Sequence, residues 1–220
     1  MSSIRAVISD FGGVLTAPLL EAFTAIAESS GIPLEALGAA MMRLGATDHA
    51  HPLFELETGR LSEADFLDRL GAEISAQLGR DVELHGFGEA YFAQLQPNQA
   101  MIDYMRELRG RGYRLAILTN NVREWEPLWR PKLPVDEIFE LVVDSGFVGM
   151  RKPDREIYEL TLERLGLPAE SCLFVDDTEA NVETARAVGL VAVHFHTSEQ
   201  AIAEIEAALD GAAPGAPART

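Results

Sequence analysis

Near its amino terminus the chain reads Ile4-Arg5-Ala6-Val7-Ile8-Ser9-Asp10-Phe11-Gly12-Gly13-Val14-Leu15-Thr16. The apolar run predicts a buried strand, and Asp10 follows where that strand ends. A rigid strand holds such a carboxylate in place, while the two glycines let a ligand approach the backbone closely. Asp10 is therefore a candidate nucleophile. Two residues later, where a second carboxylate could act as a proton donor, the chain has Gly12.

Short apolar runs alternate with helical patterns along most of the chain. This alternation is typical of a parallel sheet with crossover helices. The predicted strands are Ala6–Ser9, Arg114–Leu118, Leu141–Asp144, Cys172–Val175 and Val191–Phe195. The predicted fold class is therefore α/β, with a Rossmann-like, doubly wound parallel sheet.

Residues 17–96 break this alternation. They read as helices in succession, such as Leu19–Ser29, Pro33–Leu44 and Ser62–Leu78, without a convincing strand. We therefore predict a catalytic core at residues 1–16 and 97–210, an inserted all-helical cap at 17–96 and a flexible tail at 211–220. A helical unit above the carboxyl ends of parallel strands would act as a lid.

Composition excludes several classes of protein. The 220 residues are 47% hydrophobic and 24% charged, which suits one globular unit with an inserted subdomain. A formal net charge of −17 argues against nucleic-acid binding, which needs a cationic surface. No apolar run approaches the roughly 20 residues of a membrane span, and the start lacks a signal-peptide pattern. The single cysteine, Cys172, fits a reducing compartment, so we expect a cytoplasmic monomer or homodimer without a membrane partner.

Polar residues stand where the predicted strands end and where the following helices begin. Besides Asp10, the segments are Thr119-Asn120-Asn121, Gly149-Met150-Arg151-Lys152-Pro153-Asp154 and Asp176-Asp177-Thr178-Glu179-Ala180-Asn181. Ligands bind at the carboxyl ends of the strands in a doubly wound sheet. We therefore expect these segments to meet in one cleft.

Each residue type has a use if the substrate is a phosphate ester. Asp10 is suited to attack phosphorus and form an aspartyl phosphate. Asp10, Asp177 and one backbone carbonyl offer the hard oxygen ligands that Mg²⁺ prefers. Lys152 would neutralise the carboxylates and bind phosphate, and the Thr119 hydroxyl would hold phosphoryl oxygens. Singly, each residue is explained as easily by a helix cap or an exposed loop, so the prediction depends on their occurrence together.

The order Asp…Thr…Lys-Pro…Asp-Asp resembles the haloacid dehalogenase superfamily, whose members are mostly Mg²⁺-dependent phosphatases. The resemblance covers nearly the whole chain, and the helical insert looks like the first cap class of that superfamily. Three segments are most similar to the branch that contains the amino-terminal phosphatase domain of soluble epoxide hydrolase and bacterial sugar-1-phosphate phosphatases: Asp10–Leu15, Gly149–Tyr158 and Phe174–Gly189.

This resemblance implies a role for each residue near the substrate. Asp10 would be the nucleophile, and Lys152 would balance the charge around it and take part in catalysis. Thr119, with Asn120 beside it, would bind the phosphate of a small phosphorylated substrate.

The resemblance also implies a Mg²⁺ site. The metal would be held by Asp10, Asp177 and the backbone carbonyl of Gly12. Asp176 would support Lys152 or the metal from behind, and Asn181 would orient the loop that carries the metal ligands.

Gly12 departs from the usual pattern of the superfamily, which places a second Asp there as general acid and base. Such a proton donor is typically worth about 10²–10⁴ in rate. Three alternatives stay open: the substrate has a good leaving group, as in acyl or anomeric sugar phosphates; another group or a water replaces the acid; or the protein only binds a phosphometabolite. Dehalogenation of a 2-haloacid is a further alternative, since those enzymes also lack the second Asp. The adjacent carboxylates Asp176 and Asp177 favour the phosphatase, because they need a cation.

Some polar residues of the predicted cap have no assigned role. His49 and His51 lie in a loop-like stretch, where they would either shuttle a proton over the active site or be exposed histidines without such a role, and the second is the simpler explanation. Glu55, Glu57 and Arg60 face either the cleft or solvent, and the sequence does not decide between the two.

Overall fold

Five strands form the central sheet: β1 (Ala6–Ser9), β2 (Arg114–Thr119), β3 (Leu141–Asp144), β4 (Cys172–Asp176) and β5 (Val191–His194). All neighbouring pairs are parallel, and the order across the sheet is β3-β2-β1-β4-β5. The computed structural model describes residues 4–18, 24, 31–47, 51–84 and 86–211. The predicted α/β class with a doubly wound parallel sheet is confirmed, and the predicted strand ends differ by at most one residue.

Helices connect the strands and fill the insert. In chain order they are α1 (Leu34–Thr47), α2 (Pro52–Glu57), α3 (Glu63–Leu78), α4 (Phe87–Gln94), α5 (Gln99–Gly110), α6 (Glu126–Trp129), α7 (Val135–Ile138), α8 (Ser145–Val148), α9 (Arg155–Leu165), α10 (Glu179–Val188) and α11 (Ser198–Leu209). Short 3-10 turns lie at Arg123–Trp125, Arg130–Lys132 and Ala169–Ser171. Among the described residues, no helix is both long and apolar enough to cross a membrane.

Alternate residues of β1 pack on opposite faces of the sheet. Val7 lies in one apolar cluster with Met105 of α5 and Ile205 of α11. Ile8 lies in another cluster with Ile157 of α9. Both faces are thus covered by helices, which is why the strands read as continuous apolar runs. Burial of each such side chain contributes about 1.5–3 kcal/mol.

The helices of the insert have a core of their own. Leu37 of α1 packs there with Phe66, Leu70 and Ile74 of α3. Ser62 caps the start of α3, because its Oγ accepts a hydrogen bond from a backbone N–H in the first turn. The sequence predicts a helix over Ser62–Leu78, and the structure has it at Glu63–Leu78 with Ser62 as its cap.

The chain enters and leaves the insert at one place. Thr16 and Pro97 form an antiparallel bridge, and the N–H of Ala17 donates to the carbonyl of Gln96 at 2.7 Å. The predicted cap boundaries lie at this pair of segments. In the described part of residues 17–96, the regular secondary structure is helical. The predicted helix Leu19–Ser29 and the predicted tail lie almost entirely outside the described residues.

Candidate active site

The carboxyl ends of β1, β2 and β4 meet at one edge of the sheet. Asp10 directly follows β1, Thr119 ends β2 and Asp176 ends β4. The N–H of Asp10 donates to the carbonyl of Val175 at 2.9 Å, so the turn after β1 stays attached to β4. The strand order reverses between β1 and β4. This edge therefore contains the crevice in which open α/β sheets bind ligands.

Lys152 lies between two carboxylates. Its Nζ is 2.8 Å from Asp10 Oδ1 and 2.6 Å from Asp176 Oδ2. The three residues are 1%, 8% and 0% exposed, in that order. Burial opposes the charged form of Lys152, but Asp10 and Asp176 outweigh it and raise the pKa of the ammonium. Burial raises the pKa of Asp10 above its usual range, Lys152 opposes that shift, and Asp176 adds to it.

Asn120 fixes the backbone of Lys152. Its Nδ2 donates to the carbonyl of Lys152 and its Oδ1 accepts from the N–H of Lys152, both at 2.8 Å. The peptide bond between Lys152 and Pro153 is cis. The loop after β2 thus holds the segment that carries the lysine, and both ends of the Asn120 side chain are used for this purpose.

Asp176 has a full set of hydrogen-bond donors. Its Oδ1 accepts from the N–H of Thr178 at 2.8 Å and from Asn181 Nδ2 at 3.0 Å. Its Oδ2 accepts from Lys152 and lies 3.1 Å from Asn181 Nδ2. Tyr158 donates its hydroxyl to the carbonyl of Asn181 at 3.0 Å, which holds that residue in turn. A carboxylate with this many donors has little capacity left for a metal ion and is suited to position its neighbours.

Asp177 places its carboxylate against Gly13. A Cβ on Gly13 would overlap the carboxylate of Asp177, and Gly13 also has a φ of +78°, which favours glycine. On the other side, His194 Nε2 lies 3.0 Å from the carbonyl of Asp177. Burial and the nearby Asp176 raise the pKa of Asp177. The sequence does not reveal this contact of Gly13, because a glycine turn has the same sequence pattern whether or not another segment packs on it.

The acidic cluster fits a hard divalent cation. One carboxylate oxygen of each of Asp10, Asp176 and Asp177 lies within 4.8 Å of those of the other two, although the oxygens of Asp176 already accept hydrogen bonds. Lys152 supplies one positive charge against three carboxylates. Asp10 Oδ1 accepts from Lys152 and from the N–H of Phe11 at 2.7 Å, whereas Oδ2 accepts no hydrogen bond from the described part of the chain. Oxygen donors with uncompensated negative charge are the ligand set that suits Mg²⁺.

A cavity of about 280 Å³ opens beside this cluster. On the side of the sheet it is lined by Gly12, Thr119 and Asn120. On the other side its lining comes from helices α1 to α4 of the insert. Thr119 is 2% exposed, which places its hydroxyl within a pocket wall rather than at the molecular surface.

Helix α2 of the insert reaches the loop that carries Lys152. Arg151, the preceding residue, places its Nε 2.7 Å from Glu57 Oε2, and its guanidinium lies over the ring of Phe54, 4.0 Å from the centroid. Glu57 also lines the cavity, and burial raises the pKa of its carboxyl although Arg151 opposes that shift. Glu57 therefore faces the cleft. A helix of six residues is too short for a periodic pattern to give this orientation.

The other polar residues of the insert have structural partners. His51 caps the start of α2, because its Nδ1 accepts from the N–H of Leu53 at 3.1 Å. Arg60 pairs with Glu55 at 3.0 Å, close to the surface. His49 lies outside the described residues.

The doubly wound sheet carries a buried aspartate, Asp10, at the carboxyl end of β1, with Lys152 beside it. The chain belongs to the haloacid dehalogenase-like hydrolases, because the family model of that description matches residues 4–189. The resemblance that the sequence motifs indicate is thereby confirmed.

Two relatives with phosphatase names match nearly the whole chain. The sesquiterpene phosphatase astK of Aspergillus oryzae is 29% identical over 90% of this chain and 92% of its own length. Phosphatase MT3486 of Mycobacterium tuberculosis is 32% identical over 96% of this chain and 100% of its own length. Both similarities extend over nearly the whole length of the relatives as well as of this chain.

Solved structures share the fold. A haloacid dehalogenase family enzyme of Bacteroides thetaiotaomicron, bt-2542, was crystallised in complex with magnesium and inorganic phosphate. It aligns with a TM-score of 0.64 at 22% identity, covering 88% of this chain and 94% of its own. At this identity the similarity establishes the architecture.

Proposed function

We propose that this protein is a Mg²⁺-dependent hydrolase of phosphomonoesters that works through an aspartyl phosphate on Asp10. The observation that carries the proposal is the Lys152 ammonium between Asp10 and Asp176, with the carboxylate of Asp177 beside them. One ammonium and a divalent cation balance three carboxylates, and together they create a positive field for a phosphate group. The astK and MT3486 phosphatases, which match over nearly their whole length, support the same reaction class.

The metal ligands in this proposal are Asp10, Asp177 and the carbonyl of Gly12. When bound, Mg²⁺ would supply electrostatic stabilisation of the phosphoryl oxygens. Asp176 accepts hydrogen bonds from Lys152 and Asn181 and so positions the lysine rather than binding the metal.

The chain's own residues account for the chemical steps. Asp10 attacks phosphorus, the bond from phosphorus to the leaving oxygen breaks, and the leaving group keeps the bonding electron pair. Thr119 and Lys152 hold the phosphoryl oxygens during the transfer. Water then attacks the aspartyl phosphate, which restores the Asp10 carboxylate and releases inorganic phosphate, while the protons of water pass to solvent and product.

Gly12 limits the substrates for which these steps are fast. It offers no proton to the leaving oxygen, and such a donor is worth about 10²–10⁴ in rate. We therefore propose that the substrates have leaving oxygens of low basicity, as in acyl phosphates. An acyl phosphate releases a carboxylate, which needs no proton at neutral pH.

The helical insert serves as the cap in this proposal. Residues 17–96 would close over the nucleophile, and the contact of Glu57 with Arg151 would link that cap to the segment that carries Lys152. We keep the expectation of a cytoplasmic monomer or homodimer that acts on a small phosphorylated substrate.

The proposal is tested by phosphate release from acetyl phosphate and 4-nitrophenyl phosphate, with Mg²⁺ and with EDTA. We expect turnover with Mg²⁺, loss in EDTA and loss in Asp10→Asn, because the nucleophile is removed. Asp81→Asn, an exposed aspartate of the insert, is the matched control and should keep full activity. Halide release from 2-chloropropionate that persists in EDTA would support the dehalogenase instead. Mg²⁺-linked stabilisation by phosphate without any turnover would support a binding protein.

A further inference from the structure

The cavity beside Gly12 is the feature that the proposed reaction does not explain. From it we infer that the substrate carries its phosphate on an apolar hydrocarbon group rather than on a sugar. This inference rests on the proposed phosphatase function and narrows its substrate class. It concerns the part of the substrate that does not react.

The walls of the cavity are apolar over most of their area. Helix α1 contributes Leu37 and Met41, helix α3 contributes Phe66 and Leu70, and helix α4 contributes Phe87. These side chains come from three separate helices and converge on one space. An apolar pocket with a few polar groups at one place is the usual form of a small-molecule site, and apolar walls favour the burial of a hydrocarbon group.

Part of the polar lining lies where the reaction takes place. Gly12 is two residues from the nucleophile, and Thr119 and Asn120 belong to the loop proposed to bind phosphate. A substrate that places its phosphate beside Asp10 would therefore extend its other end between the helices of the insert. The cavity is polar beside Asp10 and apolar between the helices of the insert, which matches a phosphate joined to a hydrocarbon.

A sugar would find few free partners for its hydroxyl groups in this space, because polar side chains of the wall such as Glu57 are already paired. The indole N–H of Trp125, one of the few donors in the wall, already donates to Glu63 at 2.6 Å. Each buried hydroxyl that lacks a partner weakens binding by roughly tenfold or more. Several unpaired hydroxyls would make a sugar phosphate a poor substrate, whereas a hydrocarbon meets no such penalty.

The size of the cavity sets the length of the group. A cavity of roughly 150 Å³ lined by aliphatic and aromatic side chains binds one benzene molecule. The cavity here is about 280 Å³. Scaling by volume gives a group of about ten carbon atoms.

The first test compares chain lengths at a constant leaving group. Acetyl, butanoyl, octanoyl and dodecanoyl phosphate all release a carboxylate, so the chemistry at phosphorus is the same. Each methylene that is buried contributes roughly a factor of four. We expect kcat/KM to rise by about 100-fold or more from acetyl to octanoyl phosphate and then to level off as the cavity fills. Glucose 1-phosphate should be a poorer substrate than octanoyl phosphate.

Octyl phosphate separates the apolar group from the leaving group. It carries the same chain length as octanoyl phosphate but releases an alkoxide, which needs a proton. We expect octyl phosphate to bind as well as octanoyl phosphate and to turn over more slowly. A preference for octyl phosphate over octanoyl phosphate in kcat would show that another residue supplies the proton, without changing the assignment of the cavity.

A matched pair of variants tests the cavity itself. Met41→Trp places a large ring into the wall, whereas Met42→Trp adds the same ring to the next residue, which is 73% exposed. We expect Met41→Trp to lower the octanoyl-to-acetyl ratio of kcat/KM by about tenfold or more. Met42→Trp should retain the ratio of the wild type. Thermal unfolding of both variants checks that each is folded.

Binding without turnover gives an independent measurement. Octylphosphonate and methylphosphonate cannot be hydrolysed in the same way, and each is titrated in the presence of Mg²⁺ by thermal shift or calorimetry. We expect octylphosphonate to bind more tightly than methylphosphonate, and Met41→Trp to reduce that difference.

The outcomes distinguish the two proposals. If acetyl phosphate is hydrolysed but kcat/KM changes by less than about threefold along the chain series, the inference about the cavity is wrong and the phosphatase stands. If neither acyl phosphates nor phosphate esters are hydrolysed but octylphosphonate binds preferentially, the proposed reaction is wrong and the cavity is assigned correctly. Better turnover of glucose 1-phosphate than of octanoyl phosphate would overturn the inference outright.

Discussion

The carboxylate of Asp177 occupies the space that a side chain on Gly13 would need. The turn after β1 and the loop after β4 therefore touch at the point where the metal ligands are proposed to meet. Gly13 is a glycine for two separate reasons, its φ of +78° and this contact.

We predict that Gly13→Ala inactivates the enzyme while leaving it folded. Strain from the positive φ costs about 1–2 kcal/mol. The larger effect is on the site, because a displacement of the Asp177 carboxylate by about 1 Å lowers the rate about 100-fold. Urea unfolding measures the first effect, and phosphate release at saturating Mg²⁺ measures the second.

Gly31→Ala is the control for this variant. Gly31 has a φ of +65°, but no atom of the described residues lies within 4 Å of the position that a Cβ would take. It should lose similar stability and keep its activity. Equal losses of activity in the two variants would show that the Asp177 contact is unimportant.

Gly12 is open to a different substitution. Unlike Gly13, Gly12 does not have a positive φ, so its backbone conformation accepts an L side chain. We predict that Gly12→Asp raises the turnover of octyl phosphate by at least about tenfold, because a carboxyl at this position supplies the missing proton. Acetyl phosphate, which releases a carboxylate, should gain little.

The leaving-group series measures this effect. A plot of log kcat/KM against the pKa of the leaving group should become less steep in Gly12→Asp than in the wild type. Unchanged steepness with a uniformly lower rate would mean that the new side chain only obstructs the cavity.

The sequence predicted the sheet well because its signals are local. Each strand is a short apolar run. Glycines such as Gly166 and Gly189 end two of the helices that connect the strands. The convergence of Asp10, Lys152 and Asp177 could also be predicted, because the carboxyl ends of parallel strands share one edge. These inferences need only the order of the elements.

The contacts between segments could not be predicted in this way. That Gly13 supports Asp177, that Asn120 holds Lys152 and that Glu57 faces the cleft depend on distances across the fold. Residues that meet only through tertiary packing show no periodic pattern or fixed spacing in the sequence by which their contact could be recognised. The apolar character of the cavity could not be predicted from the sequence either, since much of its wall comes from four separate helices of the insert.

The Glu57–Arg151 pair gives a prediction about stability. Both side chains are 17% exposed, so each depends on the other for compensation of its charge. Glu57→Gln leaves the Arg151 guanidinium without its carboxylate, and we expect the free energy of unfolding to fall by about 1–3 kcal/mol. The measurement is urea unfolding at neutral pH.

An exposed pair of the same insert is the comparison. Arg60 and Glu55 lie 3.0 Å apart, with side chains 53% and 31% exposed. Glu55→Gln should change the free energy of unfolding by less than about 0.5 kcal/mol, because water screens this pair. Similar losses in the two variants would mean that burial of the Glu57 pair contributes nothing.

The last prediction concerns Asp144, which ends β3 opposite Thr119. Burial raises the pKa of Asp144 to about 7, although the N–H of Gly146 donates to its Oδ1 at 2.9 Å. The unfolded chain has the ordinary value of 3.8, so between pH 4 and 7 the folded state holds a proton that the unfolded state has lost. Stability from this group is therefore complete below about pH 4 and declines as the pH rises through 7.

Asp144→Asn removes that decline, because the amide stays neutral and keeps an oxygen for the Gly146 N–H. Relative to the wild type, we expect the variant to gain about 3 kcal/mol between pH 5 and pH 8. Asp103→Asn, at a side chain that is 57% exposed, should show no such change. Urea unfolding of the three proteins at both pH values measures the difference. If the difference in the free energy of unfolding between the wild type and Asp144→Asn is the same at pH 5 and pH 8, Asp144 is ionised throughout this range.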